Sequence, residues 1–378
     1  MKADLAPKYS YKLDENYLLW FEKSNNYVIV SELLKVILET FIKAKSRDEC
    51  VKTLSSIPKL NTQNINSLVK EASDFLNEAN TTEKLTIEDH LKFTITKPHI
   101  SKTYAIGEHH ILVNYGSEIL ESLIHPLFDH LTINSVTTTA VVFDLFQYKN
   151  RLLIYKDQLF LKSFETKKFN YLQGRFTLEI ANVLYKKTEQ DWLATFHAST
   201  VSNKNKAIMI VGDSGNGKST LTALLMAQGF DMLADDVTPM LAETQEVYRN
   251  PSAISVKEGA FNILEDEFPH FNELKIHANG QKKVLVKYLA SSNPFHEMKP
   301  SFPCNTVVLV NYSKDSKSTI NKVSGEQILK TLIPDSWISP KPEHSKKFID
   351  WLTNVRFYQL NYSDNAYAIN EFKVLFDS

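Results

Sequence analysis

Cysteine is scarce in this chain: two residues among 378, Cys50 and Cys304, far apart and without a CxxC neighbour. That excludes a disulfide framework and a zinc ribbon. Arginine is nearly as rare, with five residues, and the net charge is −1 with no dense basic block. Electrostatic binding of nucleic acid is therefore not expected, and Lys341-Pro342-Glu343-His344-Ser345-Lys346-Lys347 reads as a solvated loop with a helix start. No window approaches about 18 uninterrupted apolar residues, and Met1-Lys2-Ala3-Asp4 leads into a polar segment rather than a signal-peptide core. The expectation is a cytoplasmic protein with no membrane span. Internal repeats, a Gly-x-Ser-x-Gly elbow and an HExxH helix are all missing. His109-His110 and the pair His125 and His130 lack metal-ligand spacing and read as surface or loop histidines.

Glycine is also sparse, which makes its distribution informative. Of ten glycines, three fall within Gly212-Asp213-Ser214-Gly215-Asn216-Gly217-Lys218-Ser219. This stretch lies between an apolar run, Ala207 to Val211, and a helical-looking run, Thr220 to Ala227. Such a loop turns successive backbone N–H groups toward phosphate oxygens, and side chains at the glycine positions would obstruct the approach. Lys218 supplies a mobile positive charge for the outer phosphates, Ser219 a hydroxyl for Mg2+, and the following helix its positive end, with Thr220 in its first turn. Nucleotide phosphate binding is expected here, with Mg2+ beside the phosphates.

The rest of the chain supplies context. At 43% hydrophobic and 23% charged the composition is that of a folded chain, and the length suggests two or three units. Residues 1–85 read as a small mixed unit. Tyr17 to Phe21 and Tyr27 to Val30 form a hairpin; Ser31 caps a helix carrying Leu33, Leu34, Ile37, Leu38 and Phe41; a second helix runs from about Thr62 to Asn77. Asn77 to Lys84 is polar and reads as a linker. Residues 90–195 are strand-rich, with Phe93 to Ile95, Tyr104 to Ile106, His110 to Val113, Val136 to Phe143 and Leu152 to Tyr155, before a helix from Tyr171 to Tyr185. In 196–378, Asp231 to Ala234 reads as a short buried strand ending at Asp235-Asp236. Strands over Asn305 to Asn311 and Arg356 to Leu360 and helices over Gly325 to Leu332 and Lys346 to Asn354 follow. The expected class is α/β.

Phosphoryl transfer needs positioned phosphates, metal charge compensation and an acceptor for the attacking hydroxyl's proton. Of Asp235 and Asp236, one would accept the proton while the other helps hold Mg2+; alternatively the pair caps the turn after its strand. His197 follows an apolar stretch, where a lone histidine is commonly structural.

Phe196-His197-Ala198, the glycine loop, and Gly229-Phe230-Asp231-Met232-Leu233-Ala234-Asp235-Asp236 together resemble the bacterial HPr kinase/phosphorylase catalytic domain, and more closely the broader group of HPr-kinase-related proteins. His197 precedes Lys218 by 21 positions and Asp235 follows it by 17. The resemblance covers roughly residues 90–378 and implies an HPr-kinase-like P-loop core with a mixed sheet. It also implies ATP, Mg2+, phosphorylation of a hydroxyl, and homo-oligomers. It assigns the general-base role to Asp235, a place beside the reacting phosphate to His197, and the metal and phosphate surroundings to Asp236. The family's Glu-x-Arg-Gly-x-Gly signature has no clean counterpart, so the resemblance does not extend to reverse phosphorolysis or to HPr itself as substrate. Arg249 is the one arginine soon after the Asp pair, and Lys257 is a further candidate phosphate contact; each reads as a surface or structural residue before a phosphate-binding one. The N-terminal unit is similar to PqqD-like peptide-recognition domains, small winged-helix modules that hold precursor peptides. That likeness implies a peptide or protein acceptor, including a ribosomal precursor peptide, held in trans. A nucleotide-binding regulatory or scaffold protein without phosphotransfer is the alternative function.

Overall fold

Alternation along one strand lets the first sheet of this chain serve two cores. In the computed structural model, which describes residues 2–58, 60, 64–82, 93–134, 141–279 and 284–378, β1 (Tyr9–Leu13), β2 (Asn16–Phe21) and β3 (Asn26–Ser31) form an antiparallel meander. Leu19 and Phe21 face the helices that follow, whereas Leu18 joins the core of the C-terminal part. Ser31 accepts from the Leu34 amide to start α1 (Glu32–Lys43), and Ser46 does the same with Glu49 for α2 (Arg47–Ser55). In α3 (Ile65–Ala79), Ile65, Val69, Ala72 and Leu76 close the small core. The expected hairpin and first helix are present. Thr62, Glu83 and Lys84, parts of the expected second helix and linker, lie outside the described residues, and the helix itself runs on to Ala79.

A second sheet is built from β4 (Ile100–Ile106), β5 (His109–Tyr115), β6 (Thr132–Ile133), β7 (Val141–Tyr148), β8 (Arg151–Lys156) and β9 (Leu159–Glu165), in the order β6-β4-β5-β7-β8-β9. One face is covered by α4 (Glu118–Phe128) and α5 (Phe169–Leu184), where Val113, Phe143 and Leu145 meet Phe128 and Phe176. Two expectations are corrected here. Phe93 to Ile95 forms no strand; its Phe93 ring instead packs against Phe146, Tyr148 and Tyr155. His109 and His110 lie in β5 and His125 in α4, not in loops; the His125 ring meets Tyr104 Oη at 2.9 Å and Asp129 Oδ1 at 3.2 Å. The strand expected from Val136 begins at Val141, and residues 135–140 lie outside the described ones.

The remaining chain forms a ten-stranded mixed sheet and a small third sheet. Its first strands are β10 (Trp192–Phe196), β11 (Ser199–Ser202), β12 (Ala207–Val211), β13 (Asp231–Ala234), β14 (Thr238–Leu241) and β15 (Glu246–Tyr248), with α6 (Lys218–Ala227) between β12 and β13. β16 (Ile254–Lys257), β17 (His277–Asn279) and β18 (Val284–Leu289) make the small sheet, with α7 (Phe261–Glu265) between the first two. β19 (Ser301–Tyr312), β20 (Thr319–Lys322), α8 (Gly325–Leu332), β21 (Trp337–Ile338), α9 (Pro342–Asn354), β22 (Arg356–Tyr362) and α10 (Asn365–Asp377) complete the chain. The large sheet runs β13-β11-β12-β19-β15-β14-β10-β21, with β22 and β20 attached beyond the second half of β19.

β12 is parallel to β19 and antiparallel to β11. All five of its residues are buried: Ile208 and Ile210 cluster with α6 and α10, Met209 and Val211 with α8 and α9. A strand covered on both faces reads as a continuous apolar run, which is why it was visible in the sequence. Among the described residues no helix is long and apolar enough to cross a membrane.

Candidate functional site

Three strand ends converge where β12 stops. β11 is antiparallel to both β12 and β13, so the start of β11 and the ends of the other two lie on one edge. The loop from Gly212 to Gly217 crosses that edge and enters α6. A Cβ on Gly212 would sit 2.7 Å from the Val310 carbonyl oxygen. Gly217 has φ +89, and a Cβ there would meet the Tyr362 hydroxyl at 2.6 Å and the Tyr312 Cβ at 3.1 Å. Glycine is the residue that meets both demands.

Gly217 is also the N-cap of α6, and without a side chain it leaves the amides of the first turn uncapped. Its carbonyl accepts from Leu221 N at 2.8 Å, so the helix starts regularly; within the loop Asn216 N–H donates to the Asp213 carbonyl at 3.2 Å, while the first-turn amides of Lys218, Ser219 and Thr220 have no backbone acceptor among the described residues. The Lys218 ammonium is buried and donates to the carbonyls of Gly212 at 2.6 Å and Asp213 at 3.4 Å, its aliphatic stem lying within the loop. Asp213, Ser214 and Gly215 form an exposed crown; Asn216 and Thr220 are half-buried.

Asp235, one residue beyond β13, is 3% exposed and is the hub of the site. Ser219 Oγ donates to its carboxylate at 3.0 Å, Ser199 Oγ from β11 at 2.5 Å, and the Ser255 N–H from β16 at 3.1 Å. All three donors are neutral. Burial, and next the charge of Asp236, push the carboxyl up to about 7, with the three hydrogen bonds opposing. Asp236 is half-buried and holds φ +61, a left-handed conformation that aspartate tolerates better than most residues.

The structure thus brings Lys218, Ser219 and Asp235 together with Asp236 alongside. His197 sits at the β10–β11 corner, two residues before Ser199; its N–H donates to Ser336 Oγ at 3.1 Å. Its half-buried imidazole stands outside the hydrogen-bond network of the loop. Neither Ser199 nor Ser255 is singled out by the sequence as a site residue. Ser199 was readable only as part of the Phe196-His197-Ala198-Ser199 run, and Ser255 acts through its backbone. Arg249 is elsewhere: its guanidinium donates to the Met232 carbonyl and lies 4.0 Å from Asp231, at the opposite end of β13.

No protein-family model and no curated protein sequence matches the chain. Among solved structures, it is similar to the HPr(Ser) kinase/phosphatase from Coxiella burnetii at 10% identity and a TM-score of 0.23, over 48% of this chain and 97% of that one.

Proposed function

We propose that the chain is an ATP-dependent kinase that transfers a γ-phosphate to a hydroxyl, with serine on a peptide or protein as the acceptor. The observation that carries this reading is Asp235, a buried carboxylate raised to about 7 and hydrogen-bonded to the first hydroxyl after a glycine-rich loop. A base whose pKa lies near the working pH combines the right protonation state with the strongest pull on a proton.

In this reading the N–H groups of Gly212 to Thr220 and the Lys218 ammonium hold the β- and γ-phosphates. The oxygen donors Ser219 and Asp236 fit a hard ion such as Mg2+, which takes one or two protein ligands and completes its sphere with phosphates and water. Among the described residues no group of three or more His, Cys, Asp or Glu side chains gathers as a metal site. When bound, the ion supplies neutralisation of phosphate charge. The acceptor oxygen forms the new P–O bond as its proton passes to Asp235. The bond between the γ-phosphorus and the bridging oxygen breaks, and ADP leaves with that electron pair. His197, at the neighbouring strand corner, is assigned a place beside the reacting phosphate.

The division into residues 1–85 and 90–378 belongs to the same proposal, with the first unit a winged-helix-like, PqqD-like recognition module. The outer edges of β1 and β3 have no strand partner among the described residues, which supports capture of a peptide as an added strand. The test is incubation with labelled ATP, Mg2+ and serine-containing peptides encoded beside the gene. Labelled peptide with wild type, and none with an Asp235→Asn variant that still binds ATP, is the expected result. ATP binding without any labelled acceptor would move the assignment to a regulatory nucleotide-binding protein.

A further inference from the structure

A second lysine stands over the glycine loop, and it comes from a different sheet. Along β16, Ile254 and Val256 are buried while Ser255 and Lys257 face outward, as strand alternation requires. The Ser255 N–H is fixed against Asp235 Oδ2 at 3.1 Å. Two residues on, Lys257 Nζ donates to Ser214 Oγ at 2.9 Å, at the exposed crown of the loop. Two ammonium groups therefore approach one short loop, Lys218 buried within it and Lys257 at its open rim.

Folding alone gives little reason for this second cation. Its partner is a neutral, exposed hydroxyl, and no carboxylate pairs with it among the described residues. A nucleoside triphosphate, by contrast, calls for several positive groups around its phosphates. The arginines do not supply them. Arg47 is bonded to Asn66, Arg151 to Ser163, Arg175 to Glu179 and Glu189, Arg249 to the Met232 carbonyl, and Arg356 to Thr306 and Ser378.

We infer that Lys257 is a second phosphate-binding residue, which leaves Ser214 for the outermost phosphate of a bound nucleoside triphosphate; this rests on the phosphotransfer reading of the same loop. Placed at the rim, it distinguishes the triphosphate from the diphosphate, whereas Lys218 serves both. The same strand thus ties proton acceptor and phosphate charge together, through the Ser255 amide and the Lys257 ammonium.

The experiment is calorimetric titration of the full chain with MgATP and MgADP, for wild type, Lys257→Ala and Lys257→Arg. Lys257→Ala is expected to weaken MgATP by roughly 10- to 100-fold, the value of a charge-assisted hydrogen bond, and MgADP by less than about threefold. Lys257→Arg should regain most of the ATP affinity, and the nucleotide-free melting temperature should not move. An unchanged MgATP affinity in Lys257→Ala overturns the assignment, as does an equal loss of both nucleotides with a lowered melting temperature. A wild type that binds neither nucleotide overturns the phosphotransfer reading as well, whereas normal wild-type binding with an indifferent Lys257→Ala overturns the lysine assignment alone.

Discussion

β13 carries a buried aspartate at each end, and the two are handled differently. Asp231, at its start, has the Arg249 guanidinium 4.0 Å away and accepts from Asn293 Nδ2 at 3.2 Å. Asp235, just past its end, has only neutral donors among the described residues and a second carboxylate beside it. One end brings its own counter-charge; the other keeps a carboxyl raised to about 7 beside the uncapped first turn of α6. A buried charge closed by its own partner is a structural device, whereas one left uncompensated next to donors for an anion is poised to work on a ligand. The Arg249 end is not comfortable either: its Nε and Nη2 have no hydrogen-bond partner among the described residues, and burial holds the guanidinium below its usual range.

The sharpest way to break this contrast is to neutralise each aspartate in turn. Asp235→Asn should lower phosphotransfer by roughly 1,000-fold, the scale of a lost general base, with ATP affinity nearly intact. Asp231→Asn should leave turnover per folded molecule within a few-fold. In wild type the transfer rate should climb as pH rises through about 7, where Asp235 loses its proton, and level off above. Equal damage from both substitutions in a single-turnover assay would erase the distinction between the two ends.

Next in size is the structural end. Arg249→Leu leaves Asp231 buried without its cation and should cost about 3–5 kcal/mol in urea unfolding. Adding Asp231→Asn to that variant should recover much of the loss, with nucleotide binding by the folded fraction unaltered throughout. If Arg249→Leu instead abolished ATP binding in folded protein, the arginine would belong to the phosphate site despite its position.

The sequence made one end far more legible than the other. Gly212 to Ser219 and the pair Asp235-Asp236 are contiguous, so the loop and its carboxylates could be read as spacing. Ser199 and Ser255 reach Asp235 from 36 and 20 positions away, through β11–β13 pairing and the neighbouring small sheet, and no local pattern marks such contacts. The same physics sorted the elements. β12 and α8 were visible because burial gives them an apolar run or a helical stripe. β1, with half-buried tyrosines alternating with exposed residues, and α2, with only Cys50 and Leu54 buried, carry too little apolar signal to stand out. Arg249 was open between phosphate contact and structural residue until the strand direction placed it at the far end of β13.

A smaller effect separates the two ends by pH. Asp235 titrates near 7 folded and near 3.8 unfolded, so the folded state binds its proton more tightly. Its stabilising contribution is complete below about 4, is lost as pH rises toward 7, and stays lost above. The loss is at most about 4 kcal/mol. Asp235→Asn should therefore gain stability relative to wild type between pH 4 and pH 7 in parallel urea titrations. No such relative gain would mean that the carboxyl is not raised in the folded chain.

The smallest effect uses two glycines with the same backbone and different surroundings. Gly217, in the glycine loop, and Gly229, in the turn that leads into Asp231, both have φ +89. Alanine at either position carries the left-handed penalty, about 1–2 kcal/mol. At Gly229 a Cβ meets nothing within 4 Å, so the penalty should stand alone. At Gly217 the Cβ would lie 2.6 Å from the hydroxyl of Tyr362, a ring only 1% exposed and edge-on to Tyr312 at 5.3 Å, so neither side can yield freely. Gly217→Ala should consequently be the more destabilised variant, by about 1 kcal/mol. It alone should weaken ATP binding, because the displaced backbone is the one that presents the first-turn amides of α6. Equal unfolding midpoints, or equal ATP affinities, would show that the crowding beside Tyr362 does not shape the loop.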